Sequence, residues 1–153
     1  MASQARIRAA AEPDLEAMTG LIARLFALEP DFHFDPVRVR HGLALLLARE
    51  ETAALWVAEL DGRVIGLCTA QIVISTAEGG PVAWLEDLVV SPDQRGRGIG
   101  RLLLESVANW ATRRGLTRLQ LLADHGNEAA LSFYRRMGWQ LTRMICLRLQ
   151  PGE

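Results

Sequence analysis

A loop of alternating arginine and glycine has the clearest chemical potential in this sequence. It follows an apolar run that ends at Val90 and opens a segment with helical spacing, and its glycines are Gly96, Gly98 and Gly100. Glycine lets the backbone approach a ligand closely, and a helix start offers unsatisfied N–H donors with a partial positive charge. This combination predicts a site for pyrophosphate or a similar anion, with a plain arginine-glycine surface loop as the alternative that the spacing leaves open. The arginines that could add hydrogen bonds to phosphate are Arg95, Arg97 and Arg101.

The sequence excludes two familiar classes of phosphate-binding loop. The dinucleotide fingerprint G-x-G-x-x-G fails because the third glycine comes one residue early, and Arg118 and Leu119 stand where that motif needs an acidic residue. All 17 residues of the combined lysine and arginine set are arginine. The absence of lysine excludes the phosphate loop of nucleotide hydrolases, a Schiff-base lysine and a lysine general base.

Metal-binding and nucleic-acid-binding classes receive little support. Cys68 and Cys146 lie in apolar segments without C-x-x-C spacing and the three histidines are scattered, which predicts buried thiols, no metal and no disulfide. The formal net charge of −1 gives no field that would favour nucleic acid or an anionic membrane. We expect no signal peptide and no membrane span, because no apolar run reaches the ~20 residues that a span needs. The expectation is one cytoplasmic domain over residues 1–153.

Hydrophobic periodicity predicts a mixed α/β sheet protein. Strands are expected at residues 6–9, 54–60, 64–75, 82–90, 116–122 and 143–149, with a hairpin at Asp61-Gly62. Helices are expected at residues 12–25, 39–47, 99–111 and 127–137. This order places a meander of strands after two helices and then alternates helix with strand, which favours a mixed sheet over a doubly wound one.

Two motifs, in this order, resemble the GNAT superfamily of N-acyltransferases. The first, Arg95-x-x-Gly98-x-Gly100 after a strand, is similar to the acyl-CoA-binding signature, and the second spans residues 127–139. The resemblance covers nearly the whole chain and implies a central, mostly antiparallel twisted sheet with splayed strands, flanked by helices. It also implies acetyl-CoA as co-substrate, no metal, and direct attack by an amine in a ternary complex. A non-catalytic CoA-binding sensor or partner-binding module of the same fold is the alternative.

The resemblance implies which residues bind the co-substrate. Pantetheine would pair with the backbone of the strand before the loop, and the pyrophosphate would lie on N–H groups of the loop. Asn127 matches a position that contacts the cofactor arm, although capping of the following helix explains an asparagine there equally well. The implied cofactor-binding residues are Leu88, Val89, Val90, Arg95, Gly96, Arg97, Gly98, Gly100, Arg101 and Asn127.

Two side chains are candidates for proton transfer. Tyr134, the only tyrosine, matches the position from which family members protonate the departing CoA thiolate, with an aromatic core contact beside Phe133 as its alternative role. Glu86 is the candidate base, acting directly or through water, and the strand Trp84–Val90 is similar to that of the polyamine and glucosamine-phosphate acetyltransferase branches. Because side chains alternate along a strand, only one of Glu86 and Asp87 is expected to face the acceptor cleft. An ion pair with an arginine is the alternative for Glu86.

The loop between the first two helices combines acidic and aromatic residues, namely Glu29, Asp31, Phe32, His33, Phe34 and Asp35. Such a pocket would suit a cationic amine, for example a polyamine or an amino sugar, whereas a solvated loop anchored by its aromatic residues is the alternative. We therefore expect an acyl-CoA-dependent N-acetyltransferase that acts on a small-molecule primary amine. Family members often dimerise, and Trp139 or the terminal strand could supply an edge for a homodimer, but nothing in the spacing decides the oligomeric state.

Overall fold

The computed structural model describes residues 3–152, which divide into two compact units, residues 3–121 and residues 122–152. The first unit contains a five-stranded sheet in the order β1-β2-β3-β4-β5. Three neighbouring pairs are antiparallel and the pair of β4 and β5 is parallel, which confirms the predicted mixed, mostly antiparallel sheet. The strands are β1 (Arg6–Ala9), β2 (Ala53–Leu60), β3 (Arg63–Ser75), β4 (Gly80–Val90) and β5 (Leu119–Leu121).

Four α-helices accompany the strands, and local signals explain where two of them begin. Asp35 accepts hydrogen bonds from the backbone N–H groups of Val37 and Arg38 and so caps α2, whose first residue is a proline. Asp14, which precedes α1, is buried and accepts two hydrogen bonds from Arg8 at 2.8 and 2.9 Å, which ties the helix start to β1. The helices are α1 (Leu15–Phe26), α2 (Pro36–Leu47), α3 (Ile99–Arg113) and α4 (Glu128–Arg136).

Helices of the first unit cover both faces of its sheet. Leu67 belongs to a buried cluster with Met18 of α1 and Leu43 of α2. Ala70 points to the opposite face of β3 and packs with Trp110 of α3. The helical spacing of apolar residues in α1, α2 and α3 is therefore explained by burial of one face of each helix against the sheet.

The pairing of β4 changes in the middle of the strand. Asp87 lies opposite Thr69 and Leu85 lies opposite Ala70, so Glu86 is one extra residue, a β-bulge. On its other edge β4 pairs with β5 only over residues 83–85. From Glu86 to Val90 this edge of β4 has no strand partner among the described residues, which is the predicted splay of the sheet.

The second unit contains α4 followed by a segment without regular secondary structure. The predicted strand at residues 143–149 is wrong, because residues 139–150 adopt neither strand nor helix. An alternating apolar pattern indicates an extended backbone but cannot provide the neighbouring strand that a sheet requires. The side chains of Ile145, Leu147 and Leu149 are 82%, 86% and 87% exposed. The predicted strand at residues 116–122 is present but shorter, as β5.

No helix among residues 3–152 is both long enough and apolar enough to span a membrane. The prediction of a single domain over residues 1–153 stays a prediction.

Candidate functional site

The glycine loop leaves β4 through a short, well-anchored turn. The N–H of Ser91 donates to the carbonyl of Ile65 at 2.7 Å, and the Ser91 hydroxyl donates to the Asp93 carboxylate at 2.6 Å. Gly96 and Gly98 then adopt φ values of +78° and +79°, the left-handed region that favours glycine. The alternate glycines of the sequence are thus explained at two of their three positions by backbone conformation.

The start of α3 presents a run of backbone donors. The six consecutive N–H groups of residues 96–101 have no acceptor among the described residues. The next residue, Leu102, makes the first backbone hydrogen bond of the helix: its N–H donates to the Gly98 carbonyl at 3.1 Å. A side chain added at Gly96 or Gly98 would meet no atom within 4 Å, so space lies in front of the backbone. Unpaired donors, open space and the positive end of the helix dipole together fit the pyrophosphate of an acyl-CoA.

The three loop arginines differ in their partners. Arg95 donates from Nε to the Val90 carbonyl at 3.3 Å, and Arg101 pairs with Glu105 at 2.9 Å. Arg97 makes no hydrogen bond or ion pair with any residue that the structure describes. Of the three, Arg97 is therefore the one whose guanidinium can bind phosphate without first leaving a protein partner.

The last residues of β4 leave one edge of the strand available. Leu88, Val89 and Val90 pair with β3 on one side, opposite Cys68, Leu67 and Gly66 respectively. The unpaired edge of this segment leads directly into the glycine loop. Its backbone amides and carbonyls can hydrogen-bond an extended chain that carries amide groups, as pantetheine does.

The second unit contains the other two predicted site residues. The Asn127 side chain accepts a hydrogen bond from the Ala130 N–H at 3.1 Å, so Asn127 caps α4, while its contact with the cofactor stays a prediction. The half-buried Tyr134 ring meets Trp139 edge-on with the ring centroids 5.8 Å apart. The Trp139 N–H also donates to the Tyr134 carbonyl at 2.9 Å. Tyr134 therefore has an aromatic packing partner, and its role as an acid stays a prediction.

A pocket of about 360 Å³ lies between α1, α2 and the middle of the sheet. This volume is within the usual range for small-molecule sites. Glu86, Asp87 and Gln71 form its polar side on the sheet, and Arg49, just beyond α2, is its only cationic lining residue. The apolar walls are formed by side chains of the two helices: Ile22, Phe26, Val39, Leu43 and Leu46.

The bulge brings Glu86 and Asp87 to the same pocket, so the expectation that only one of them faces the cleft is wrong. Strict alternation along β4 fails at the extra residue, which is the physical reason for the error. Glu86 is exposed, and no ion pair of Glu86 with an arginine occurs in the described part of the chain. Asp87 is half-buried and accepts a hydrogen bond from the Thr69 hydroxyl at 2.7 Å.

The environment of Asp87 changes its acidity. Burial raises the pKa of the Asp87 carboxyl to about 6, the hydrogen bond from Thr69 opposes this, and repulsion by Glu86 adds to the increase. Sequence reasoning considered Asp87 only as an alternative to Glu86, and it missed Thr69, Gln71 and Arg49 altogether. These residues are separated in sequence, and only the register of β3 against β4 brings the first two toward the carboxylates.

The acidic, aromatic loop between α1 and α2 does not line this pocket. Phe32 stacks on Phe26 of α1, with ring centroids 4.9 Å apart, so this aromatic residue anchors the loop. The apolar wall of the pocket is formed instead by α1 and α2, the helices on either side of the loop. Phe26 both lines the pocket and contacts Phe32 of the loop.

The two cysteines differ in environment. Cys68 is buried in β3, as predicted, and burial raises the pKa of its thiol well above the ordinary range. Cys146 is exposed, so the prediction of a buried thiol is wrong there. Among residues 3–152, no group of three or more histidine, cysteine, aspartate or glutamate residues is arranged to hold a metal ion.

Known proteins are similar to this chain in sequence and in fold. Residues 19–139, more than half of the chain, match the Acetyltransferase (GNAT) family. An uncharacterized N-acetyltransferase of Methanocaldococcus jannaschii is 32% identical over 65% of this chain and 44% of its own length. The type 1 aminoglycoside N(6')-acetyltransferase of Salmonella enteritidis is 26% identical over 91% of this chain and 94% of its own length. The structure of the aminoglycoside N-acetyltransferase AAC(6')-Iy in complex with CoA superimposes with a TM-score of 0.85 at 22% identity, covering 99% of this chain and 97% of that one.

The chain belongs to the Acetyltransferase (GNAT) family. The chain spans less than half the length of the archaeal relative. Resemblance to the polyamine and glucosamine-phosphate branches stays a prediction.

The Asp87→Asn variant should gain stability relative to the wild-type protein as the pH rises. The difference in free energy of unfolding, variant minus wild type, should be about 1–2 kcal/mol larger at pH 8 than at pH 4. The folded-state pKa, about 6, lies above the ordinary value of 3.8, so the ionised carboxyl costs stability as the pH rises through that interval. Below it the carboxyl is protonated in both states and the cost disappears. Urea unfolding of both proteins at pH 4, 6 and 8 measures the difference, and a pH-independent difference would contradict the assignment.

Proposed function

We propose that the chain transfers an acetyl group from acetyl-CoA to the primary amine of a small acceptor, which binds as a cationic ammonium. One observation carries the proposal. The single strand β4 joins a pocket with two carboxylates, at residues 86–87, to an unpaired edge, at residues 88–90, and then to a loop of unpaired N–H groups. An acyl donor along the edge would have its thioester beside the amine in the pocket.

The acetyl-CoA would be bound mainly by backbone groups. Its pyrophosphate would accept hydrogen bonds from the N–H groups of residues 96–101, and Arg97 would add a charged contact. The amides of the pantetheine arm would pair with the free edge at Leu88, Val89 and Val90. Asn127 would contact the same arm while it caps α4.

The reaction removes two protons from the amine nitrogen and adds one to the sulfur. Glu86 would take the first proton from the ammonium, directly or through water, and the neutral nitrogen would then attack the thioester carbon. As the carbon–nitrogen bond forms and the carbon–sulfur bond breaks, Tyr134 would give its proton to the departing thiolate. The acylated nitrogen would then lose its second proton to the phenolate, directly or through water. The products are an acetamide and CoA with a free thiol, and Glu86 releases its proton to solvent.

Exposure and hydrogen bonding favour Glu86 over Asp87 as the base. Glu86 is exposed at the pocket and occupies the bulge, so its carboxylate can approach an incoming amine. Asp87 is held by the Thr69 hydroxyl and is less accessible, so it is better suited to stabilising the ammonium electrostatically. This division gives the two neighbouring carboxylates different roles.

The acceptor class is supported by charge and by similarity. Two carboxylates attract and orient an ammonium group. The relatives named as aminoglycoside N-acetyltransferases act on amines of small molecules, as their names state. The alternative function, a CoA-binding module without activity, would need neither the carboxylate pair nor a pocket beside it.

We also propose that the protein forms a homodimer through residues 143–149. Leu147 and Leu149 are 86% and 87% exposed, and exposed aliphatic surface is unfavourable in water by about 25 cal/mol per Å². The same segment of a second copy would cover these side chains by packing against them.

The proposed activity predicts release of CoA thiol from acetyl-CoA in the presence of an amine. A thiol-detecting assay across polyamines, amino sugars, aminoglycosides, amino acids and short peptides should give at least one time-dependent signal. Tyr134→Phe should lower kcat by about 10²–10⁴ while the Kd for CoA, measured by calorimetry, stays unchanged. Binding of CoA without turnover of any amine would favour the non-catalytic module, and an unchanged kcat would remove Tyr134 from the reaction.

Replacing Glu86 with glutamine should lower kcat by about 10²–10⁴ because the ammonium would keep its proton. The control is Glu78→Gln, which removes an exposed carboxylate from the turn between β3 and β4, outside the pocket. Steady-state rates against pH provide the measurement. Wild-type kcat/KM should fall below about pH 6, where Asp87 becomes protonated. Equal rates for the Glu86 and Glu78 variants would exclude Glu86 as the base.

Replacing Gly98 with valine should abolish CoA binding, since the side chain would occupy the space before the loop and strain its backbone. Gly79→Val is the matched control, because Gly79 also has a positive φ of +71° and no atom within 4 Å of an added Cβ. Both variants carry similar strain, but only the first should lose affinity in calorimetric titration with CoA. Tight binding by a folded Gly98 variant would contradict the loop assignment.

The dimer should have twice the 16.9 kDa mass of one chain in size-exclusion chromatography with light scattering. The double variant Leu147→Asp, Leu149→Asp should be monomeric, because burying carboxylates between paired segments is unfavourable. Leu141→Asp, at a position that is 82% exposed but outside the pairing segment, should stay dimeric. A monomeric wild-type protein, or loss of the dimer in the Leu141 variant as well, would refute pairing through residues 143–149.

A further inference from the structure

The cation in the acceptor pocket has no role in the acetyl transfer proposed above. Arg49 lines the same pocket as Glu86 and Asp87. On the basis of the proposed function, we infer that the acceptor carries a carboxylate in addition to its reacting amine, and that Arg49 binds this carboxylate. The acceptor class is therefore a short amino acid whose amine and carboxylate are separated by an apolar spacer.

Arg49 is not needed to hold the fold. Its backbone maintains the turn after α2: its N–H donates to the Leu46 carbonyl at 3.0 Å, and its carbonyl accepts from Thr52 at 3.0 Å and Ala53 at 2.8 Å. Its exposed guanidinium makes no hydrogen bond or ion pair within residues 3–152. The arginine that ties this turn to the rest of the unit is Arg114, which donates to two carbonyls in the turn at 3.1 and 3.3 Å.

Other arginines of the first unit show the contrast. Arg8, Arg40 and Arg101 each pair with a carboxylate of the chain at 2.8 or 2.9 Å. Arg49 lines a cavity that contains two carboxylates, yet neither is within ion-pair distance of it. Opposite charges are thus present in one cavity without neutralising each other, an arrangement that a ligand with both charges can complete.

The register of the sheet places the backbone of Arg49 and that of the carboxylates at different levels of β3. The Ala53 N–H donates to the Arg49 carbonyl, and Ala53 lies opposite Gln71 in the sheet. The carboxylates instead face the level of Thr69, two residues away along β3, which corresponds to about 7 Å. An ammonium at one end and a carboxylate at the other would be bridged by a chain of a few bonds. The aliphatic walls of α1 and α2 would cover that chain.

The same arrangement disfavours acceptors with a second cation. A diamine that placed one ammonium at Glu86 would bring its other ammonium toward Arg49, where the charges repel. An amine without a carboxylate would leave Arg49 unpaired. An acceptor with a primary amide in place of the carboxylate would exchange a charged, bidentate hydrogen-bonded contact for a neutral one. Arg49 therefore acts as a specificity-determining residue, and it has no part in proton transfer.

The test uses ω-amino acids with two to five methylene groups, each compared with its primary amide and with the diamine of equal length. Acetylation by the wild-type protein should have a kcat/KM about 10–100-fold higher for the best amino acid than for its amide, the usual worth of a charged hydrogen-bonded contact. Arg49→Gln should remove this difference by lowering only the rate with the amino acid. The matched control, Arg24→Gln, changes an exposed arginine of α1 outside the pocket and should leave the preference intact.

Charge reversal gives the sharpest result. Arg49→Glu should transfer the preference from the amino acids to the diamines, which a merely structural role for Arg49 cannot produce. Equal wild-type rates for acids and amides, or acids that are worse than diamines, would overturn the inference while leaving the proposed acetyltransferase activity in place. Absence of acetylation with every amine in this series and in the wider panel would instead refute the proposed function itself.

Discussion

The extra residue at Glu86 is the constraint on which the candidate site depends. From Ala83 to Leu85, β4 is paired on both edges, so its backbone groups there are used within the sheet. Beyond the bulge only the edge toward β3 is paired. The same irregularity changes which face the following side chains occupy, which brings Glu86 and Asp87 to one pocket. The carboxylate pair and the available strand edge thus begin at the same residue.

The surrounding structure stabilises this arrangement by different means. The Thr69 hydroxyl satisfies part of the hydrogen-bonding capacity of Asp87, which lowers the cost of a carboxyl in a largely apolar setting. The helix that forms one pocket wall is attached at its start by the ion pair of Arg8 with Asp14, and Arg8 holds the pKa of that carboxyl below its usual value. Side chains of α1 and α2 also pack in one buried cluster with the sheet, which supports the apolar wall beside the carboxylates.

Much of the architecture could be predicted from the sequence because local signals determined it. The glycines at 96 and 98 indicated a backbone with positive φ, and Asn127 indicated a helix start; the structure has both. The bulge could not be predicted, because no residue type marks a register shift within an apolar strand. The pocket lining was also missed, since Arg49, Gln71 and Asp87 become neighbours only through sheet register. The expected strand at residues 143–149 failed because a strand depends on a partner that its own residues do not specify.

The open edge of β4 has a consequence for solubility as well as for ligand binding. Unpaired amide and carbonyl groups on an exposed strand can template the addition of a strand from any passing chain, which is a common beginning of aggregation. Here the open edge is short, because β5 covers the neighbouring residues 83–85, and Glu86 at its start carries negative charge. A foreign β-strand that tried to extend its pairing past this point would meet β5. The short edge therefore limits what can bind along the strand to a short, flexible chain.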